Sequence, residues 1–473
     1  MKNLNELYDC NYDCMVKDIK TNSKDIEKGD MFVCVKGVNE DRHNYIMEAI
    51  DRGCSCLIVE RGNNYNIPFI KVKDTNKELG NVSKKFYDYD DSLKMIGVTG
   101  TDGKTTTSLI IKDMLDDCGY IGTNGVKSNK LNLGTNNTTP DLNLLYKYLK
   151  MFKDEKLKYV SMETSSEGLL HNRVYGIKFD VGILTNISED HLNVHKTLSN
   201  YIDSKIKLFK NIKDDGYAVL NRDDRFFGKF EENCTCRVFS YGKDKNSDLR
   251  IERIKERDDG TYIQFEYNDK MYSVTSTLKG EYNAYNLMAA LSSLICLGID
   301  IKDAIERVKC IKQVDGRCEI FDINNFKVVL DYAHTENGLK SILTYLNKIK
   351  KNRIITVTGS AGGREKEKRK GMGEVVQELS DLVIYTMDDP RYESVIDIIN
   401  DMKVEDKDNY MIIEDRKEAI DKAMSIAKKN DIILIAGKGR DNYMAIEDKK
   451  VKYSDYDVLE RYLKNGTKKC NRK

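Results

Sequence analysis

A chain of 473 residues, with 78 lysines and arginines against 77 aspartates and glutamates, carries a net charge of +1. No global field draws it to nucleic acid or to an anionic membrane surface, and its length suits about three domains. The opening MKNLNELYDCNYDC lacks the apolar core of a secretion signal, and no later run is long enough to span a bilayer, so the chain is expected to stay in the cytoplasm.

Residues 1–92 read as a first unit without a phosphate loop: a strand over Met31–Gly37, a helix over Tyr45–Arg52 and a strand over Cys56–Glu60. The chain then enters its most informative stretch, MIGVTGTDGKTTTSLIIKDML (Met95–Leu115). An apolar run leads into a glycine-rich turn, then Lys104, Thr105 and Thr106, then an amphipathic run. This is the order strand, phosphate-cradling loop, helix. Glycines let backbone N–H groups close on phosphate oxygens, Lys104 reaches the β- and γ-phosphates, and Thr105 offers a hydroxyl to magnesium. The match to G-x-x-x-x-G-K-[ST] is incomplete, because Val98 stands at the first glycine position.

From Leu93 to about Val314, strand candidates at Tyr159–Glu163, Val181–Asn186 and Tyr217–Asn221 alternate with amphipathic helices, the pattern of a mostly parallel sheet. Between Leu249 and Leu278 the period changes to alternation, with turn signals at Asp258-Asp259-Gly260 and Asn268-Asp269, which predicts an appended β-meander. A helix follows over Tyr282–Leu297. From Gly316 a new α/β series begins, with strands over Lys327–Tyr332, Arg353–Gly359, Leu382–Thr386 and Ile432–Gly437 and no second phosphate loop. Twelve cysteines, including the C-x-C pairs Cys54/Cys56 and Cys234/Cys236, read as reduced, mostly structural thiols.

Groups suited to magnesium and phosphate follow two of these strands: Glu163 ends YVSME, and His191 lies just after VGILTN. Ligands of an open parallel sheet bind beyond the carboxyl ends of its strands. Taken singly, Glu163 is a strand-end surface carboxylate and His191 a structural histidine; taken with Thr105, they form a magnesium set. On residues alone, Lys205 is a surface lysine.

The ordered motifs GDMFVCVKG, GTDGKTTT, NTTPD, METSSEGL, TNISEDHL, YIDSK, GEYNAYN, DGRCE, DYAHT, GGREKEKR, DDPR and AGKG run through nearly the whole chain. In this order the chain resembles the Mur ligase family, and among its members those that extend a UDP-linked muramoyl dipeptide with a diamino acid. The fold implied is α/β, a three-domain Mur ligase architecture. It has an N-terminal uridine-nucleotide-binding domain (1–92), a central P-loop ATPase domain (93–314) and a C-terminal Rossmann-like, amino-acid-binding domain (315–473).

The resemblance implies an ATP-dependent reaction through an acyl phosphate, which the incoming amine attacks, in peptidoglycan precursor synthesis. Gly100, Thr101, Asp102, Gly103, Lys104, Thr105 and Thr106 then form the ATP loop; Asn283 and Asn286 lie on the adenine side; Arg317 binds phosphate; Asp331 and His334 match ribose- and adenine-side positions. Lys104, Glu163, His191 and Lys205 are the catalytic set, and Thr105, Glu163, His191 and Lys205 match the metal positions. Lys205 matches a lysine the family carbamylates. An ordinary lysine, with a pKa of about 10.4, would repel Mg2+, whereas a carbamate is an anionic oxygen ligand.

For the nucleotide-linked substrate, the resemblance points to Ser23, Asn137, Thr138, Thr139, Ser165, His171 and Arg173. Several positions depart from the family's usual residues: Glu167 replaces a histidine, Glu336 a proline, and Arg440-Asp441 a His-Glu pair. For the added amino acid it points to Arg364, Asp388, Asp389, Arg391, Gly437 and Asp441. Arg391 and Arg364 are arginines of the kind that grip a distal carboxylate bidentately, which favours meso-diaminopimelate. Asp389 stands where asparagine is usual and is placed to pair with Arg391; together with Asp441 it leaves open a pocket retuned for lysine, ornithine or another amino acid. The protein is expected to act as a monomer without nucleic-acid or membrane partners. Two other readings stand beside the ligase: a folate polyglutamate-type ligase, disfavoured by the N-terminal unit, and a non-catalytic P-loop binding protein, disfavoured by the intact Lys104, Glu163, His191 and Lys205.

Overall fold

The computed structural model describes residues 1–37, 40–257, 260–404 and 407–470, with side chains as far as 464. The turn expected at Asp258-Asp259 lies outside the described residues.

An eleven-stranded sheet organises the middle of the molecule. Lys94–Thr99 lies within it, paired in parallel with Tyr159–Glu163 on one side and Phe179–Leu184 on the other. Ile96, Val98 and Thr99 suit a strand buried on both faces, and every residue from Met95 to Thr99 is buried. Gly97 leaves room for Phe179 and Leu208, atoms of which lie 2.8 Å from where a Cβ would stand. Because the chain continues outward on both sides of Lys94–Thr99, the sheet changes winding direction there, and the crevice at that strand's carboxyl end is where ligands of such sheets bind. The alternating segment forms three antiparallel strands, Leu249–Arg257, Gly260–Tyr267 and Lys270–Ser276, joined to the same sheet through a parallel pairing with Arg237–Gly242.

Helices Lys104–Met114 and Glu281–Cys296 cover one face of this sheet, burying Ile110, Ile111, Leu287, Met288 and Leu291 in a single core. Helices Leu142–Asp154 and Leu198–Lys210 cover the other. Leu79, Val82 and Phe86, from the helix Thr75–Phe86, enter that second core beside Leu142, Leu145 and Leu149, so the N-terminal unit packs as part of the central layer. Its own sheet is four-stranded and parallel, in the order Ile19–Lys20, Met31–Val33, Cys56–Val59 and Phe69–Lys71. The strand expected over Met31–Gly37 stops at Val33, and Lys36 makes only an isolated bridge to Asp41.

The C-terminal sheet has six strands, in the order Glu319–Ile323, Phe326–Asp331, Ile432–Ala436, Ile354–Thr358, Leu382–Tyr385 and Tyr410–Ile412, and only the first is antiparallel to its neighbour. Both faces are covered by helices, giving two cores. The segments DYAHT, AGKG, GGRE and DDPR follow the carboxyl ends of four neighbouring parallel strands, which gathers them at one edge. Where the chain crosses into this sheet, Gly316 (φ +68°) sits so close to the AGKG turn that a Cβ would lie 2.7 Å from the Arg440 nitrogen, and one on Gly439 would lie 2.9 Å from the Tyr332 ring. Among the described residues, no helix is long and apolar enough to cross a membrane.

Candidate active site

The loop after Lys94–Thr99 has the shape its glycines allow. Gly100 (φ +147°) and Gly103 (φ +85°) adopt backbone angles that side chains disfavour, and a Cβ on them would strike Thr185 Oγ1 and Asn286 Oδ1 respectively. Lys104 then opens the helix, half-buried, and its Nζ donates to the carbonyls of Gly100 (3.0 Å) and Thr101 (2.7 Å). Burial lowers its pKa while Glu163 and Asp102 raise it, with the net result below the ordinary lysine value.

Lys205 is not at the surface. It is 1% exposed, donates to the same Gly100 carbonyl at 2.7 Å, and lies 4.4 Å from the centre of the Tyr201 ring. Burial, and then the charge of Lys104, push its pKa well below the ordinary value, favouring the neutral, nucleophilic amine. A pattern signal existed in the sequence. Lys205 falls on the stripe Tyr201, Ile202, Leu208, Phe209 that its helix buries, where a charged head needs a reason to be.

Glu163 is fully buried and saturated with donors: Thr105 Oγ1 (2.9 Å), the Tyr120 hydroxyl (2.6 Å), the Thr123 N–H (2.9 Å) and the Thr123 hydroxyl (3.3 Å). Gly122 is required beside it, since a Cβ there would strike Glu163 Oε1. Thr105 and Glu163 together present a hydroxyl and a carboxylate, hard oxygen donors of the kind Mg2+ prefers. His191 sits apart from this contact, on a left-handed residue (φ 56°), with Nδ1 3.4 Å from Glu167 and Nε2 3.4 Å from Asp190. Glu167 therefore turns toward His191, whose imidazole holds its carboxyl down at about 2. Burial would raise the pKa of Asp190, but His191 and Lys368 outweigh it and keep the carboxylate ionised. Among the described residues, no three His, Cys, Asp or Glu side chains form a ready metal cluster.

Beyond Glu163, Thr138 pairs with Thr123 at 3.0 Å. Thr139 donates to the Glu163 carbonyl (2.9 Å) and contacts Ser165 (3.1 Å), while Arg173 donates to the Thr139 carbonyl (3.3 Å). Asn137 is half-buried on the same turn, and His171 is exposed at the end of the helix that Ser165 caps. Ser23 lies in the N-terminal unit, buried, with its hydroxyl donated to Glu48 at 2.7 Å.

A cavity of about 490 Å³ opens beside the loop, lined by Asp102, Gly103, Thr106, Asn286, Arg317 and Asp331 among others. Asn286 donates to Asn283 (3.0 Å), which donates to the Lys279 carbonyl (2.7 Å), fixing both amides on one wall. The C-terminal unit supplies the opposite wall. Arg317 donates to Thr105 Oγ1 at 3.3 Å and packs 4.5 Å from the centre of the Tyr332 ring. Asp331 takes the N–H groups of Cys318 (2.6 Å) and Ala333 (2.8 Å). The His334 ring is 2.7 Å from the Tyr332 carbonyl, and burial holds its pKa at about 4. Thr335 donates to Asp102 at 3.3 Å, Lys368 lies 3.6 Å from Asp190, and Glu365 accepts the Asn193 N–H at 3.0 Å.

A second cavity, of about 120 Å³, is lined by residues that include His191, Arg364, Asp388, Asp389, Arg391, Gly437 and Asp441. The pairing expected between Asp389 and Arg391 does not form. Asp389 is taken by Lys438 at 2.9 Å and by the Ala445 N–H at 2.8 Å. Arg440 faces away from the cavity, bidentate to Glu319 and stacked 3.3 Å from the centre of the Tyr456 ring.

Residues 98–294 match the family described as Mur ligase middle domain, and residues 316–439 the one described as Mur ligase, glutamate ligase domain. The UDP-N-acetylmuramoyl-L-alanyl-D-glutamate–2,6-diaminopimelate ligase of Clostridium botulinum is 36% identical over 463 residues, 95% of each chain. That of Aquifex aeolicus is 37% identical over 456 residues, 95% of this chain and 94% of its own. This chain belongs to the Mur ligase family. A solved UDP-N-acetylmuramoyl-L-alanyl-D-glutamate–2,6-diaminopimelate ligase superposes with a TM-score of 0.67 at 26% identity, covering 98% of this chain and 99% of its own. The MurF ligase of Thermotoga maritima in complex with ADP shares the fold, with a TM-score of 0.68 at 21% identity over 96% of this chain and 99% of its own.

Sequence reasoning gave no role to Tyr120, Thr123, Asp190, Thr335, Lys368 or Lys438, although the last four stand inside the motifs TNISEDHL, DYAHT, GGREKEKR and AGKG. Lys438 had a visible signal, a lone lysine between the glycines of AGKG. Tyr120 had none, because its role depends on the strand beside it.

Proposed function

We propose that this Mur ligase is an ATP-dependent, ADP-forming amide ligase. It joins meso-diaminopimelate to UDP-N-acetylmuramoyl-L-alanyl-D-glutamate through an acyl phosphate, acting as a cytoplasmic monomer in peptidoglycan precursor synthesis. Residues 1–92 take the uridine nucleotide, 93–314 take ATP and 315–473 take the amino acid.

The observation that carries this reading is the second cavity. There Arg364 and Arg391 make no ion pair or hydrogen bond through their guanidinium groups among the described residues, while Asp388, Asp389 and Asp441 surround the neighbouring Lys438. Unpaired arginines beside a carboxylate cluster suit a ligand end that bears both a carboxylate and an ammonium. Lys104 and Arg317 meet from opposite units around Thr105, where they offset charge on the phosphoryl group in transit. Asn283 and Asn286 present amides to the base, and Asp331 and His334 flank the nucleotide from the C-terminal side. Ser23, Asn137, Thr138, Thr139, Ser165, His171 and Arg173 hold the nucleotide-linked dipeptide so that its carboxylate meets the γ-phosphate.

Thr105, Glu163, His191 and a carbamylated Lys205 would hold Mg2+, which when bound polarises the phosphate oxygens. A buried amine with a depressed pKa is the form that adds CO2, which supports the carbamate. The contacts of Thr335, Lys368 and Glu365 with the central unit close the site and keep water from the acyl phosphate.

One observation favours a second reading, lysine as the added amino acid: three carboxylates against one lysine leave an acidic excess suited to a free ammonium. Phosphate release from ATP with the UDP-linked dipeptide and a panel of diaminopimelate, lysine and ornithine decides between them. Preference for diaminopimelate supports the proposal, preference for lysine replaces its amino acid, and turnover with none refutes the ligase reading of the second cavity.

A further inference from the structure

Lys438 is 1% exposed and lies 2.9 Å from Asp389, 3.5 Å from Asp441 and 3.8 Å from Asp388. Its neighbour Gly437 (φ +116°) admits this approach, since a Cβ there would strike Asp388 Oδ2. Asp389 and Arg391 are both anchored to the strand Tyr443–Ile446: the Ala445 N–H donates to the Asp389 carboxylate at 2.8 Å, and the Ala445 carbonyl accepts the Arg391 N–H at 3.1 Å. One strand thus aims the Asp389 carboxylate at Lys438 and fixes the backbone from which the Arg391 side chain reaches the same cavity.

The other nearby cations are committed. Lys368 pairs with Asp190 (3.6 Å) and Glu365 (3.9 Å), and Arg416 is bidentate to Asp455 (2.8 Å). The guanidinium groups of Arg364 and Arg391 border the cavity with no ion pair or hydrogen bond among the described residues, although the Arg364 charge helps to lower the Glu167 carboxyl. Without the Lys438 charge, three clustered carboxylates would draw on those two arginines as counter-ions.

We infer that Lys438 is a positioning residue for amino-acid selection: it holds Asp389 and offsets part of the charge of the Asp388–Asp389–Asp441 cluster, and so keeps Arg391 free to bind the distal carboxylate of the incoming amino acid. The inference rests on the reading of this cavity as the amino-acid site. The upward shift of Lys438, which keeps it charged beside these carboxylates, agrees with it. The carboxylates raise Lys438 against the effect of its burial, while burial pushes Asp441 up to about 6.

The test uses the full-length protein and steady-state KM values for diaminopimelate, lysine, ATP and the UDP-linked dipeptide. Lys438→Met should raise KM for diaminopimelate about tenfold or more, the loss of one charge-assisted contact, while KM for ATP and for the dipeptide stays within about twofold. KM for lysine, which has no distal carboxylate, should move far less, so selectivity between the two falls. The double variant Asp389→Asn/Lys438→Met should recover much of the diaminopimelate KM, because an asparagine cannot ion-pair with Arg391. A merely structural role predicts no such recovery.

Thermal melting checks each variant. If Lys438→Met does not fold, Lys438→Gln, which still donates to Asp389, replaces it with the same selective rise expected in smaller measure. Equal rises for all three substrates, no change in KM, or no recovery in the double variant would overturn the inference. A wild type that turns over but does not use diaminopimelate overturns instead the cavity reading beneath it.

Discussion

Replacing Glu163 by glutamine separates the stability of this site from its chemistry. The carboxylate accepts four hydrogen bonds, two on each oxygen. In the variant, the remaining Oε1 still accepts from Tyr120 and the Thr123 N–H. The new amide nitrogen faces the hydroxyls of Thr105 and Thr123, which can rotate to accept, although Arg317 already donates to Thr105. The loss is therefore about one charge-assisted bond, about 1–2 kcal/mol, or a few degrees in Tm for a unit of this size. The catalytic loss is larger. A preorganised negative charge is removed from the proposed metal position, an effect worth about 10²–10³ in kcat. Phosphate release at saturating substrates, titrated with Mg2+ and set beside a thermal melt, should show a rate at least about 100-fold down in a protein still fully folded at the assay temperature, with half-saturation displaced to higher Mg2+. A rate within about threefold of wild type at limiting Mg2+ would remove Glu163 from metal binding and undo the reasoning that joins it to Thr105.

Lys205→Ala should cut turnover by about 10²–10³, with partial recovery on adding a small carboxylate such as acetate; wild-type protein should carry the mass of one added CO2, lost on acidification, and a wild-type rate in the variant would exclude the lysine from the reaction. Arg391→Ala should raise KM for the amino acid by about 10–100-fold with KM for ATP nearly constant; a matching rise for ATP would show the guanidinium acting elsewhere. Asp441, at about 6 in the folded protein against an ordinary 3.8, binds more protons folded than unfolded, so its contribution to stability falls as pH rises between those values. Urea midpoints across pH 4–7 should show that Asp441→Asn removes this decline relative to wild type, and parallel profiles would contradict the assignment.

What the sequence made legible was short-range. The loop from Gly100 to Thr106 is dictated by glycines and a helix start within one segment, and the strands that carry Glu163, Asp331 and the AGKG turn are runs of buried-type residues. Boundaries shifted where a strand lost its neighbour, as after Val33. Long-range pairing was not legible. Asp389 has a basic residue two positions away in Arg391, yet its partner is Lys438, 49 residues on. Thr335 meets Asp102 across 233 residues. Lys205 looked like a surface residue because its type outweighed its place on an apolar stripe. Each of these depends on which strand lies beside which, and that order is a property of the assembled sheets.

The close fit of Gly316 against the AGKG turn has a mechanical consequence. The chain leaving the ATP-binding unit passes this point with no room for even a methyl group, its Gly316 N–H held at 3.0 Å by Glu319, the residue that also grips Arg440. The entry of the chain into the C-terminal unit is thus braced on the same turn that walls the second cavity. The joint at Gly316 and residues 439–440 pack against each other directly, so a side chain added at Gly316 would displace the turn and, with it, that wall of the small cavity.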